Sequence, residues 1–162
     1  MTSTVSPNPD HVFEASPRRV RVCFNGQVIS ESRHMMLLRE PGHVPIYFFP
    51  EKDMHAAFLQ SSDHTSRSDF TGDGKFWHIT VAGNVAENAA FAFSNPPVGG
   101  PNLEGYIAFD WNKMEAWYEE EEEIFRHARD PYKRVDTLRG SRHIKVVIDG
   151  IPIAATRQPR LL

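Results

Sequence analysis

The dipeptide Asn25-Gly26 lies between two runs of β-formers, Val20-Arg21-Val22-Cys23-Phe24 and Gln27-Val28-Ile29-Ser30. Both turn residues tolerate positive φ, and this pairing is the strongest short-range signal for a two-residue hairpin. The same phrase returns near the other end of the sequence. VRVCFNGQVISESRHMMLL (20–38) aligns with IKVVIDGIPIAATRQPRLL (144–162), an offset of 124 residues, and Asp149-Gly150, the other favoured turn pair, replaces Asn25-Gly26. A fold that writes its opening hairpin twice contains an internal repeat. The second copy stops after the hairpin and reads as a truncated repeat. A lone hairpin is marginal in water, so residues 143–162 are expected to pack on the core or on a partner subunit, which points to a homodimer.

The segment between the two copies punctuates itself in the same way. Met35–Leu38, Ile46–Phe49, Phe76–Val81, Ala89–Phe93 and Tyr106–Phe109 read as short strands bounded by Pro, Gly and Asn. Met54, Ala57 and Phe58 recur at helical spacing after Pro50 and predict one short helix over 51–60. Trp111, Met114, Trp117, Ile124 and Phe125 give an approximate helical stripe around Glu119–Glu123, and Asp130-Pro131 closes it. The expected architecture is α+β and β-rich: a small antiparallel barrel or sandwich with one short helix, an acidic helical connector and a C-terminal β-hairpin. Four regions follow: a flexible N-terminal arm (1–18), a core domain (19–110), the connector (111–134) and the repeat hairpin (135–162).

Composition excludes several function classes. Lys and Arg number 18 and Asp and Glu 21, a net charge of −3. This argues against a broad positive field for nucleic acid or an anionic membrane. One cysteine, Cys23, rules out an intramolecular disulfide framework and any multi-cysteine metal site within the chain. No apolar run is long enough for a membrane-spanning helix and no secretory signal opens the sequence, so a soluble cytoplasmic protein is expected.

Four blocks carry a resemblance: VRVCFNGQVISES, VPIYFFPEKDM, GKFWHITVAG and GYIAFDWNKMEAWYEEEEE. In this order they resemble the domain-of-unknown-function 427 family, which also bears a nucleotidyltransferase-like label. The resemblance covers about residues 19–162 and implies a tandem-type member. Members usually carry Cys-Pro-aromatic-Lys-Gly before the Phe76-Trp77 strand, whereas here the chain reads Ser68-Asp69-Phe70-Thr71-Gly72. The thiol, proline and lysine are missing. The family's strand Trp and Tyr are replaced by Phe91 and Phe93.

Few residues suggest chemistry. Gly72-Asp73-Gly74 lacks the Lys-Ser/Thr of a phosphate loop and reads as a turn. His55, His64, His78 and His127 show no two-ligand spacing, so no metal is expected. Glu119–Glu123 reads as a solvated helix face, and Cys23 as a small packing residue. The polar stretch from His64 to Asp69 is richer, placing an imidazole, hydroxyls, a guanidinium and a carboxylate beside an aromatic strand. A pocket is expected between 64–71 and strands 76–81 and 89–93. His64, Arg67 and His78 are its catalytic candidates, and Tyr47, Phe49, Phe70, Trp77, Phe91 and Phe93 its walls. Three readings follow. The first is a cofactor-independent isomerase, lyase or cyclase acting on an apolar small metabolite of a specialised biosynthetic pathway, where enforced geometry can supply about 7–11 kcal/mol even to a pericyclic, Diels–Alder-type closure. The second is a non-catalytic ligand-binding or subunit-interaction module. The third, nucleotide chemistry, rests on the family label alone.

Overall fold

The computed structural model describes residues 11–162. Among the described residues fifteen strands run in chain order: β1 (Val12–Ala15), β2 (Val20–Phe24), β3 (Gln27–Ser32), β4 (Met36–Arg39), β5 (Ile46–Pro50), β6 (Leu59–Ser68), β7 (Gly72–Val81), β8 (Asn84–Ser94), β9 (Tyr106–Phe109), β10 (Ala116–Glu119), β11 (Glu122–Ile124), β12 (Leu138–Arg139), β13 (Ile144–Ile148), β14 (Ile151–Thr156) and β15 (Arg160–Leu161). A seven-stranded sheet is ordered β1-β4-β5-β9-β8-β7-β6, and a four-stranded sheet β11-β10-β2-β3. All their pairings are antiparallel. Outer strands β1 and β6 do not meet, so the fold is a β-rich, sandwich-like one and not a closed barrel.

Strand alternation divides the apolar residues into two cores. Tyr47 and Phe49 join Val20, Val22, Ile29, Ile79, Phe109 and Trp117 in the larger one. Phe48, between them, points the other way and packs with Leu38, Leu103 and Ala108. Period-two exposure on β5 thus fills both sides of the seven-stranded sheet.

Several expectations give way here. Residues 51–60 form no α-helix: they make two single 3₁₀ turns, Glu51–Asp53 and Ala56–Phe58, and then enter β6. Met54 between them is extended and bridges to Ser30, which interrupts any α-ladder. The acidic connector is not helical either. After a 3₁₀ turn at Trp111–Lys113, Trp117 pairs with Val22, and Glu120 takes φ +52° in the turn between β10 and β11. Pairing to β2 outweighs helix propensity, because an edge of β2 is open and the glutamates can form a turn. Residues 12–15 of the expected arm are strand β1, anchored by Phe13 edge-on to Phe48 (5.7 Å) and by Glu14 to Arg39 (3.1 Å). Residues 1–10 of that arm lie outside the described residues. The polar stretch 61–75 is mostly the long β6–β7 hairpin. Strands on both sides of 19–110 therefore join the same two sheets, and β1–β11 form one body.

The internal repeat is longer in structure than in sequence. β2 pairs with β3 as Val20↔Ser32, Arg21↔Glu31 and Val22↔Ser30, then skips Ile29 to reach Cys23↔Val28. β13 pairs with β14 as Ile144↔Thr156, Lys145↔Ala155 and Val146↔Ala154, then skips Ile153 to reach Val147↔Pro152. Register and bulge coincide at the 124-residue offset. Turn residues Asn25 and Asp149 adopt φ of +47° and +49°. Glu14↔Leu37 in β1–β4 is matched by Leu138↔Leu161 in β12–β15. Backbone bonds Ser16 N–H to Met35 O and Gly140 N–H to Pro159 O also correspond, as do the Ser32 and Thr156 hydroxyls that accept the N–H two residues on. The four-strand opening unit β1–β4 is thus built again as β12–β15. The base of the second unit meets the body, with Leu138 buried and Arg139, Arg142 and Arg160 paired to Glu122 and Glu120, while β13 and β14 are exposed along their whole length.

Candidate functional site

Tyr47 on β5 is the pivot of the candidate site. It is 3 % exposed and lines two clefts. Its hydroxyl donates to Glu119 Oε1. Glu119 is the last residue of β10, on the same face as Trp117, so its carboxyl is carried inward by strand alternation.

The first cleft, of about 440 Å³, is lined by Glu14, Leu37, Tyr47, Glu119, Arg129 and Asp136, among others. Burial raises the Glu119 carboxyl above its ordinary range, opposed by the Tyr47 hydrogen bond and the charges of Arg129 and Arg18. Burial and then the neighbouring Glu119 charge push the Tyr47 phenol well up, which keeps it a donor. Arg129 is held 3.3 Å from Asp136. Glu119 Oε2 has no hydrogen-bond partner among the described residues. A carboxyl that gives up its proton reluctantly, with one oxygen fixed by a phenol and the other free, is equipped to take or return a proton.

The second cleft, of about 460 Å³, is aromatic. Tyr47, His64, Phe76, Phe91, Trp111 and Trp117 form much of it, with Lys113 and His127 at the lining. Trp111 and Trp117 stack in parallel with centroids 4.3 Å apart. His64 meets Phe76 edge-on at 4.5 Å.

Of the residues expected to form one pocket, this cleft gathers His64, Tyr47 and Phe91. His78 is occupied elsewhere: its Nδ1 accepts the Asn88 N–H at 3.0 Å where the β7–β8 register slips. Arg67 is 86 % exposed beside Asp73, on the far part of the hairpin. Phe49 is fully buried against Phe109 and Trp117, so it supports the site from behind. Trp77 lies under the Lys75 ammonium at 5.0 Å. Phe70 packs on His11 and Phe93 on Phe48 and Phe91, in the outer core. Six of the nine expected residues are therefore absent from the lining of either Tyr47 cleft.

Sequence reasoning missed the acidic residues. Glu119 and Glu120 are 2 % and 1 % exposed, against the solvated face expected of them. Glu120 accepts from the Arg19 N–H at 2.9 Å, from Arg142 Nε at 3.2 Å and from Arg142 Nη2. The available signal was alternation: Trp117 and Glu119 share parity, as inward residues of a strand do. Cys23 is half-buried, and burial raises its thiol.

Among the described residues, no group of three His, Cys, Asp or Glu side chains is placed to hold a metal ion. None of their helices is long and apolar enough to cross a membrane. Gly72 and Gly74 lie in β7 rather than ahead of a helix. No curated protein matches the chain. The family model NTP_transf_9, described as a domain of unknown function (DUF427), matches residues 12–120, which span β1 to the β10–β11 turn and both sheets of the body. The chain belongs to the DUF427 family.

Proposed function

We propose that this protein is a cofactor-independent enzyme that moves a proton on an apolar small molecule, in the manner of an isomerase, lyase or cyclase. The observation that carries the reading is the buried Glu119 carboxyl, raised by desolvation and lining a cleft whose walls combine apolar residues such as Leu37, Pro131 and Val135 with the charges of Arg129 and Asp136. Glu119 Oε2 accepts a proton from an acidified carbon of the substrate, and returns it at another carbon or to a leaving group. Tyr47 holds Oε1 throughout, and Arg129 balances the charge that develops. A positioned acid–base group of this kind contributes about 10²–10⁴-fold in rate.

The experiment pairs soaking of an apolar fragment library into crystals with carboxyl-carbon NMR titration of Glu119. Support is a fragment seated against Glu119 and a carboxyl that titrates above 4.5, the ordinary value for glutamate. A Glu119 that titrates at that value sinks the catalytic assignment. A second reading rests on the Trp111–Trp117 stack, which suits non-catalytic binding of a planar apolar ligand in the second cleft. Fragments confined to that cleft, with Glu119→Gln leaving their affinity unchanged, favour it.

A further inference from the structure

Among the described residues six charged side chains line the first cleft: Glu14, Arg18, Glu119, Arg129, Arg134 and Asp136. Glu14 is paired with Arg39 at 3.1 Å and accepts the Tyr132 hydroxyl at 2.9 Å. Arg129 and Arg134 share Asp136, at 3.3 and 3.2 Å. Glu119 accepts the Tyr47 hydroxyl. Arg18 is left over. Its backbone N–H reaches the Ser16 hydroxyl at 3.4 Å, and its guanidinium has no ion pair or hydrogen bond among the described residues.

That guanidinium is more than a solvated surface group. Arg18 is half-buried, and its charge lies close enough to oppose the desolvation that raises the Glu119 carboxyl. It sits between β1 and β2, and the pairings of both strands fix the segment that carries it. Partial burial strips hydration from a cation whose N–H donors can be satisfied only by an acceptor, and an anion satisfies them best. Two observations narrow the anion. The cleft already holds the Glu119 and Asp136 carboxyls, so a dianion such as phosphate would be set against them, whereas a single negative charge balances Arg18. Leu37, Pro131 and Val135 supply apolar wall, and about 440 Å³ leaves room for a hydrocarbon skeleton beside the charged end. A carboxylate matches the planar guanidinium fork with two parallel hydrogen bonds.

We propose that the first cleft takes an apolar carboxylic acid, its carboxylate paired with Arg18 and its skeleton laid along Leu37, Pro131 and Val135 beside Glu119. The assignment rests on the reading of this cleft as the substrate site, and it names the substrate class.

The test titrates the full chain at neutral pH with cyclohexanecarboxylate, 2-naphthoate and 4-phenylbutyrate, each set against its neutral primary amide, and follows binding by NMR shifts. Each acid should bind at least about tenfold more tightly than its amide, with shifts centred on the first cleft. Arg18→Gln removes no side-chain contact seen within the described residues, so the melting temperature should hold while the advantage of the acids falls below about twofold. Arg18→Lys should restore part of it, as charge without the fork. Acids that bind no better than their amides, or not at all, overturn the proposal. So does an advantage that survives Arg18→Gln, or acids seated in the second cleft. The two readings fail separately. A Glu119 that titrates at its ordinary value, with the acid preference intact and lost in Arg18→Gln, removes the catalytic assignment and supports the carboxylate site. A raised Glu119 with no acid preference overturns the carboxylate site alone.

Discussion

Arg142→Ala should be among the most damaging single substitutions outside the apolar cores, although Arg142 is itself 30 % exposed. The reason lies in its partner. The Glu120 side chain is 1 % exposed, and Arg142 supplies two of the three hydrogen bonds that its carboxylate accepts. Removing Arg142 leaves a buried carboxylate with the Arg19 N–H alone. Breaking a buried ion pair from one side costs about 3–5 kcal/mol. The low end applies, because Arg19 stays and its guanidinium still reaches the Glu120 carbonyl at 3.4 Å. About 3 kcal/mol corresponds to a fall in Tm of about 6–12 °C for a domain of this size. Glu120→Gln should cost less, about 1–2 kcal/mol, since a stranded Arg142 can turn toward water and the amide oxygen still accepts. The double variant should fall short of the sum of the two. Urea denaturation measures all three, with unchanged m-values required for the comparison. Arg142→Ala costing under about 0.5 kcal/mol, a value typical of unremarkable surface changes, refutes the argument; so does a cost below that of Glu120→Gln.

Glu119→Gln tests the other buried carboxyl through pH. A carboxyl raised on folding contributes stability below its ordinary pKa of 4.5, and that contribution is lost as pH rises through the folded value. The variant's Tm should therefore improve relative to wild type between acid and neutral pH; a constant difference across a pH series would contradict the assignment. Gly72 has φ +87°, and a Cβ there would meet the Ser94 and Asn95 carbonyl oxygens at 2.3 and 2.5 Å. Gly72→Ala should cost about 2 kcal/mol or more, through backbone strain at the β6–β7 turn, as read by calorimetry. Phe49→Ala empties the larger core at a residue of 0 % exposure, and an equilibrium melt should show a loss of about 3–5 kcal/mol.

Much of the fold was legible because the turns and the alternation are local. Asn25-Gly26 and Asp149-Gly150 take the positive φ that their chemistry allows, and Tyr47, Phe48 and Phe49 alternate between two cores as period-two burial requires. The likeness of 20–38 to 144–162 was written in the residues, while the bulge shared at Ile29 and Ile153 emerges only from the strand register. Of the expected pocket, Tyr47, His64 and Phe91 do converge, because each sits on or beside an aromatic strand. The run Glu119–Glu123 was misread for a physical reason. Five adjacent glutamates suit a solvated helix by propensity, and only the open edge of β2 and the arginines at 19 and 142, distant in sequence, turn them into a strand end and a buried turn.

What the amino-acid sequence determined by itself was therefore the set of hairpins, their turns, their inward faces and their repetition, since each depends on neighbours a few residues apart. The tertiary structure alone decided which faces find a cover. Val20 and Ile144 stand at the same place in the same unit, yet one is sealed under Trp117 and Phe49 and the other meets solvent. Burial is a property of what packs opposite, and local sequence does not encode the opposite wall. The same holds for Glu119: its proton affinity comes from the desolvating cleft around it, and that cleft exists only once β5, β10 and the segment at 129–136 are brought together.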